Sequence, residues 1–336
     1  MAIEKFNFGL VGLGWFGKYH ADVLTGLPQV SLTAVCDLRK DLVSEFGEKY
    51  QVKYRYTDYR ELMENPEIQV VDVVTTEESH YEVASEALKR GKHVFIEKPI
   101  TTKVSDAEAL VSLAKKSSLI MMVGHILRFD VRYAYLKEEI DKGNLGELIH
   151  IYCRRNSMSS WFGQWVRLNT FINTAIHDID LILWYTRDKV ERVYAEQRHF
   201  RKIGNPDVGC AILSMSKGTT CIIENIWHLP DKMPFRFSHD YKLEVIGSKA
   251  AAEISAQPAL SLWTEDGAIC PELFYWPRLH GNIVGALSEE LRHFVHCLLT
   301  GKQSDIIKPE ESVEALRVAY ALVESAETGK IVEVKN

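Results

Sequence analysis

The chain has 336 residues, 46% of them hydrophobic and 26% charged, with a formal net charge of −6. That length suits two domains with a sizeable core, and the acidic balance gives no electrostatic basis for binding nucleic acid or an anionic membrane surface. No apolar run approaches the roughly 20 residues of a membrane span, the first strand starts without a cleavable leader pattern, and six scattered cysteines with no Cys-x-x-Cys pair read as reduced thiols of a cytoplasmic protein, not as a metal site or a disulfide framework.

The chain opens on Phe8-Gly9-Leu10-Val11-Gly12-Leu13-Gly14-Trp15-Phe16-Gly17, an apolar run ending in Gly-x-Gly-x-x-Gly, with a helix-like segment from Lys18 to Leu24 behind it. In a strand–turn–helix setting Gly12 permits the tight turn, Gly14 lets main chain approach a pyrophosphate, and Gly17 lets the helix pack close to the strand. Trp15 and Phe16, inside the motif, belong to the same cradle. A second apolar run, Ser31 to Cys36, ends in Asp37, at the spacing of an acid that binds the adenosine ribose. Further strands are expected at Val52–Tyr56, Val70–Thr75, His93–Glu97 and Leu119–Val123. Ser79-His80-Tyr81-Glu82 and Ser105-Asp106-Ala107-Glu108 read as capping boxes opening the helices between them. Repeated strand–helix–strand predicts a doubly wound parallel sheet, whose ligands lie at the carboxyl ends of the strands.

The character changes after Gly124. A helix is expected over Val131–Lys142, a strand over Leu148–Arg154 and a helix over His177–Trp184. From Val190 to Ile254 long alternating strands with hairpin turns at Lys217-Gly218 and Gly247-Ser248 predict an antiparallel sheet. Two helices, Ser288–Leu299 and Pro309–Glu327, close the chain. The division is expected at residue 124: residues 1–124 as a dinucleotide-binding domain, and 125–336 as a substrate-binding and oligomerisation domain whose C-terminal helix is able to pack back on the first.

Two groups suggest chemistry. Lys98, in Glu97-Lys98-Pro99, stands at a strand's carboxyl end, where it can donate to a substrate oxygen; a plain surface lysine fits the same position. In Asn173-Thr174-Ala175-Ile176-His177-Asp178-Ile179-Asp180, helical spacing places Asn173, His177 and Asp180 on one side. A histidine there can take a hydroxyl proton near neutral pH, although a core histidine satisfied by Asp180 has the same spacing. Trp161, Trp165, Trp227, Trp263 and Trp276 read as core or interface residues sooner than as sugar platforms.

In this order and at these separations, Gly12–Gly17, Asp37, Glu97-Lys98-Pro99 and His177-x-x-Asp180 resemble the Gfo/Idh/MocA oxidoreductases over essentially the whole chain. That resemblance implies a Rossmann domain followed by an α/β domain built on a large, mostly antiparallel sheet that forms homodimer or homotetramer contacts. It also implies NAD or NADP as cofactor and a small-molecule sugar, inositol or related polyol as substrate. Lys98 matches the family's catalytic lysine and His177 its catalytic histidine. Asn173 stands where the family often has aspartate, and Thr76 where it usually has proline. Thr75, Thr76 and His80, with Glu97 and Lys98, would border the cofactor. Arg128 at the crossing between domains, Arg154 and Asn156 on the next strand, and His280 are candidate substrate contacts. The acid Asp37 favours NAD over NADP, because a 2′-phosphate beside it would bring like charges together, while Arg39 offers that phosphate a partner. Two further readings within reach of this resemblance are an NAD-dependent glycosidase without net redox and a non-catalytic, nucleotide-sensing regulator.

Overall fold

The computed structural model of the chain describes residues 5–162, 166–202, 204–232, 240–255 and 259–335. Trp165 lies outside them. The chain divides into two compact units: residues up to Phe129 together with Tyr275–Val313, and Asp130–Phe274 together with the chain from Glu314 onward.

The first unit is built on a six-stranded sheet of β1 (Phe6–Val11), β2 (Val30–Cys36), β3 (Tyr54–Tyr56), β4 (Val70–Val73), β5 (His93–Glu97) and β6 (Met121–Gly124). The strands lie in the order β3-β2-β1-β4-β5-β6, all parallel. The order reverses between β1 and β4, which makes their carboxyl ends the ligand crevice of such a sheet. The helices are α1 (Trp15–Gly26), α2 (Lys40–Lys49), α3 (Tyr59–Glu64), α4 (His80–Lys89) and α5 (Val104–Ser117). α3, only six residues long, is too short to leave a periodic signature and is started by Asp58, whose side chain accepts from the Arg60 N–H.

Neither predicted capping box forms. A 3₁₀ turn, Glu77–Ser79, precedes α4, and Ser79 makes no side-chain cap. α5 starts at Val104, so Ser105 lies inside its first turn instead of capping it.

The first unit is not continuous in sequence. Its last piece, Tyr275–Val313, carries a hairpin (Arg278–Leu279 with Asn282–Ile283) and the helix Ala286–Thr300. The division expected at residue 124 assigns this piece to the other domain. The physical reason for its return is the apolar face of the helix: Phe294 packs edge-on against Phe8 of β1 and Phe95 of β5, with ring centroids 6.3 and 5.5 Å apart. Helix α3 covers the opposite side of β1, since a Cβ on Gly9 would meet Leu62.

The second unit carries a seven-stranded sheet of β7 (Leu148–Asn156), β8 (Val190–Arg198), β9 (Val208–Met215), β10 (Thr220–Ile226), β11 (Asp240–Gly247), β12 (Ala251–Ser255) and the short strand Val332–Glu333. Its order is β12-β11-β7-β10-β9-β8 and then the short strand. All neighbours are antiparallel except β7 and β10, which run parallel. The sheet is therefore the large, mostly antiparallel one expected. On one face Ile151, Cys153, Leu213, Cys221, Ile223 and Val245 are buried beneath the helix Ile176–Thr186. On the other, Tyr194, Ile212, Ile222 and Tyr152 form one cross-strand row.

Candidate active site

The cradle at the end of β1 is made of main chain. Gly12 has φ +98°, a left-handed conformation, and a Cβ there would strike the Val74 carbonyl at the end of β4. A Cβ on Gly17 would strike the Gly12 carbonyl, so helix and strand meet this closely only at glycine. Beside Gly14 a Cβ would meet nothing within 4 Å, which leaves that side of the turn open. α1 begins at Trp15 with no side-chain cap, an N-terminus whose N–H groups and dipole suit an anion.

Asp37 is fixed beside this turn. Its carboxylate accepts the Leu13 N–H at 2.8 Å and the Arg39 N–H at 2.9 Å, and pairs with the Arg39 guanidinium at 3.1 Å. Burial pushes its pKa up, but these hydrogen bonds, the Arg39 side chain first, outweigh burial and hold it below the ordinary range. Thr75 is half-buried and Thr76 exposed just after β4. His80 is different: it is buried, its Nδ1 lies 2.8 Å from the Pro99 carbonyl and its Nε2 3.3 Å from that of Thr75. Desolvation lowers its pKa. The structure therefore gives His80 the work of tying the Thr75 loop to the segment after Lys98.

Lys98 follows β5 at a cis peptide bond to Pro99. Among Val94–Thr101 it is the one side chain that is not buried. The carboxylate of Glu97 accepts the Lys98 main-chain N–H at 3.2 Å. Behind it lies a buried chain of charge that the sequence reading missed. His20 of α1 sits with Nδ1 2.9 Å from Asp72 and Nε2 3.3 Å from Glu97. Burial alone would lower the imidazole pKa; the two carboxylates overcome this and raise it to about 10, which favours the imidazolium, while burial also pushes the Asp72 carboxyl up.

In the second unit the helix expected over His177–Trp184 is present as Ile176–Thr186, but it does not run back to Asn173. Thr170–Asn173 is a separate short helix capped by Asn169, and the main helix starts at Ile176. Asn173 and His177 thus stand on two helices, not on one face of a single helix as the spacing suggests. Asn173 is buried, with Nδ2 3.4 Å from the Thr174 hydroxyl. From Thr170 to Ile182 His177 is the only side chain that is not buried. Its neighbour Asp178 is clamped by Arg155 of β7 through two hydrogen bonds of 2.8 and 3.2 Å, both partners being buried. The Arg155 guanidinium also lies over the Tyr241 ring, 4.5 Å from its centroid. The short helix is held by Asn169 bonding reciprocally with Gln197 and by the Trp227 indole N–H on the Thr170 hydroxyl.

Four candidate substrate residues have partners or surroundings of their own within their units. Arg128 is fully buried, donating to the Ile306 carbonyl and to Glu311, both at 2.6 Å, within the first unit. Arg154 and Asn156 alternate with Arg155 along β7 and so face away from the helix that bears His177. There Arg154 donates to Asp240, and Asn156 to Glu224 and Asp240. His280 is exposed at the hairpin tip, in the first unit. Among the described residues there is no cluster of His, Cys, Asp and Glu able to hold a metal ion, and no helix long and apolar enough to cross a membrane.

Residues 6–125 match the model of an oxidoreductase family with an NAD-binding Rossmann fold, GFO/IDH/MocA, and residues 133–253 match that family's C-terminal domain. The chain belongs to the GFO/IDH/MocA family. Its relatives include the myo-inositol 2-dehydrogenase of Thermotoga maritima, 27% identical over 340 residues that cover 98% of each protein. The scyllo-inositol 2-dehydrogenase (NAD(+)) of Bacillus subtilis is 25% identical, covering 98% of this chain and 97% of its own. The crystal structure of scyllo-inositol dehydrogenase from Lactobacillus casei, with bound NAD(H) and scyllo-inositol, shares the fold: TM-score 0.85 at 24% identity, over 98% of this chain and 99% of that one.

This GFO/IDH/MocA member is an NAD-binding oxidoreductase. The residues present fit the cofactor. The open side of Gly14 and the uncapped N-terminus of α1 suit a pyrophosphate, and Asp37 is an ionised acceptor for ribose hydroxyls.

Proposed function

We propose that the protein is an NAD-dependent dehydrogenase of a secondary alcohol on a cyclic polyol of the inositol class or a related sugar. The observation that carries this reading is a coincidence of exposure. In two long buried runs, Val94–Thr101 and Thr170–Ile182, the side chains not buried are Lys98 and His177, and both are proton-active. Relatives named as inositol dehydrogenases support the substrate class.

In this reading His177 takes the proton of the substrate hydroxyl, and Lys98 donates a hydrogen bond to the same oxygen. NAD, when bound, supplies the hydride acceptor. Asn173 cannot carry charge, so its part is restricted to hydrogen bonding. In the reducing direction His177 returns the proton.

Asp37 decides the cofactor in favour of NAD, since a 2′-phosphate would face its carboxylate. The outer row of the second sheet, with Tyr194 and Ile212 exposed, is taken as the surface of a homodimer or homotetramer. A cytoplasmic location agrees with six unpaired cysteines.

The test is a panel of inositols, other polyols and sugars with NAD and with NADP, read by absorbance of the reduced cofactor. Turnover of a cyclic polyol with NAD is expected. Failure across the panel, with release of an aryl aglycone from glycosides without added cofactor, would replace this reading by the glycosidase. For Asp37→Ala, the ratio of NADP to NAD affinity is expected to rise; an unchanged ratio would show that Arg39 governs the pocket.

A further inference from the structure

We propose that Trp276, far along the chain from the glycine motif, is a positioning residue for NAD: it fixes the first turns of α1, the phosphate-facing end of the cradle. Four aromatic rings meet there. Trp276 lies edge-on to Trp15 at 5.6 Å between centroids and to Phe16 at 5.5 Å, and is tilted on Tyr19 at 5.7 Å. Trp15 also packs on Phe16 and Tyr19. Trp15, Phe16 and Tyr19 occupy the first five residues of α1, the stretch that follows Gly14.

The strand–turn–helix motif alone does not hold these rings. Trp15 is 39% exposed, and α1 has no side-chain cap and no acidic residue in its first turn, so local stabilisers of a helix start are missing there. A helix end without them frays. Trp276 supplies the constraint from outside. Its own position is set on both sides in sequence: Tyr275, buried, packs against its ring at 5.6 Å, and Arg278 forms an ion pair with Asp22, further along the same α1 helix. Ile283 of the hairpin is buried. The hairpin segment is thus an aromatic clamp on the motif helix. A turn already held in its binding geometry loses less freedom when it takes a pyrophosphate, which strengthens binding.

The experiment is direct NADH binding, followed by the fluorescence of NADH itself, together with thermal unfolding of the free protein. Trp276→Ala is expected to weaken NADH binding about five- to tenfold, the worth of an aromatic pair or two. Trp276→Phe, which keeps a ring at the hub, is expected to stay within about twofold of wild type. A folded Trp276→Ala protein with wild-type affinity overturns the proposal. So does a Trp276→Phe protein as weak as Trp276→Ala, because a role in ring packing must be rescued by a ring. If Trp276→Ala does not fold, Arg278→Ala decides. It releases the clamp from Asp22 without touching the rings, and weaker NADH binding at an unchanged melting temperature supports the clamp, while unchanged binding overturns it.

Discussion

The candidate residues of the two units are held by opposite means. In the first unit the cradle is main chain: a left-handed Gly12, a Gly17 pressed on the Gly12 carbonyl, and an N–H of Leu13 bonded to Asp37. In the second unit the segments that carry Asn173 and His177 are held by side chains from the sheet and the chain after it, with Arg155 on Asp178, Gln197 on Asn169 and Trp227 on Thr170. A site made of main chain is written within one stretch of sequence. A site made of side chains is written in the register of strands that lie far apart along the chain. The first tolerates changes around it and fails at its glycines; the second fails when any distant strut is cut.

The sharpest break in this comparison is chemical. His177→Ala, or Lys98→Met, is expected to lower turnover by about 10²- to 10⁴-fold, the worth of a group that moves or holds a proton. NADH affinity should fall far less than turnover in both, and stay within about twofold of wild type for His177→Ala, since the pyrophosphate and ribose groups are held by main chain and Asp37. Steady-state kinetics beside NADH titration makes the check. A His177→Ala enzyme with wild-type turnover would remove the second unit from the chemistry.

Next in size is the strut beneath His177. Asp178→Ala leaves the Arg155 guanidinium buried without its carboxylate, and cutting one partner of a buried pair costs about 3–5 kcal/mol. Urea unfolding should show that loss in the second unit, with NADH binding by the first unit retained. A loss below about 1 kcal/mol, the range of surface pairs, would mean that the clamp does not carry the helix.

A third effect separates the units by pH. Both bury a charge pair, but only the first unit's cation titrates. The His20 imidazolium is favoured in the folded state, with its pKa raised to about 10 by Asp72 and Glu97 against the opposing effect of burial. The folded state therefore holds a proton that the unfolded chain releases above its ordinary pKa of about 6.5. The stabilisation is complete below that value and is lost as pH rises toward 10, at up to about 1.4 kcal/mol per pH unit. Denaturation of the first unit measured from pH 7 to 10 should show this slope, and His20→Asn should flatten it. The Arg155–Asp178 pair should give the second unit no such slope, because arginine stays charged throughout.

What could be read from the sequence follows the same line. The glycine motif, Asp37, the six parallel strands and the family were legible because each is a local pattern or an ordered series of them. Lys98 and His177 were picked out by motif, but the break at Thr174–Ala175 was not legible: helical spacing continues across it, and no glycine or proline marks it. Arg154 and Asn156 read as site residues because they end a strand near the right place. Alternation makes them face Glu224 and Asp240 instead, and which face of a strand is the core cannot be read from one strand alone. His20, Asp72 and Glu97 are separated by dozens of residues and meet only once α1 lies on the sheet. Arg128, at the crossing between domains, read as a candidate substrate contact or a salt bridge, and its partners, Ile306 and Glu311, lie 178 and 183 residues away, beyond the reach of any local pattern.

The return of Tyr275–Val313 to the first unit has a consequence for how the protein is made. A ribosome delivers the six strands of the parallel sheet long before the helix that covers Phe8 and Phe95. Until about residue 300 has emerged, Phe8 and Phe95 lack the Phe294 ring that packs on them, with only α1 on that side of Phe95, and residues 130–274 of the second unit are synthesised while they wait. N-terminal domains ordinarily finish folding as they emerge; this one is completed almost last. A proteolytic or genetic cut near residue 129 therefore does not release a self-sufficient nucleotide-binding module, but a sheet that lacks the helix packed on Phe8 and Phe95.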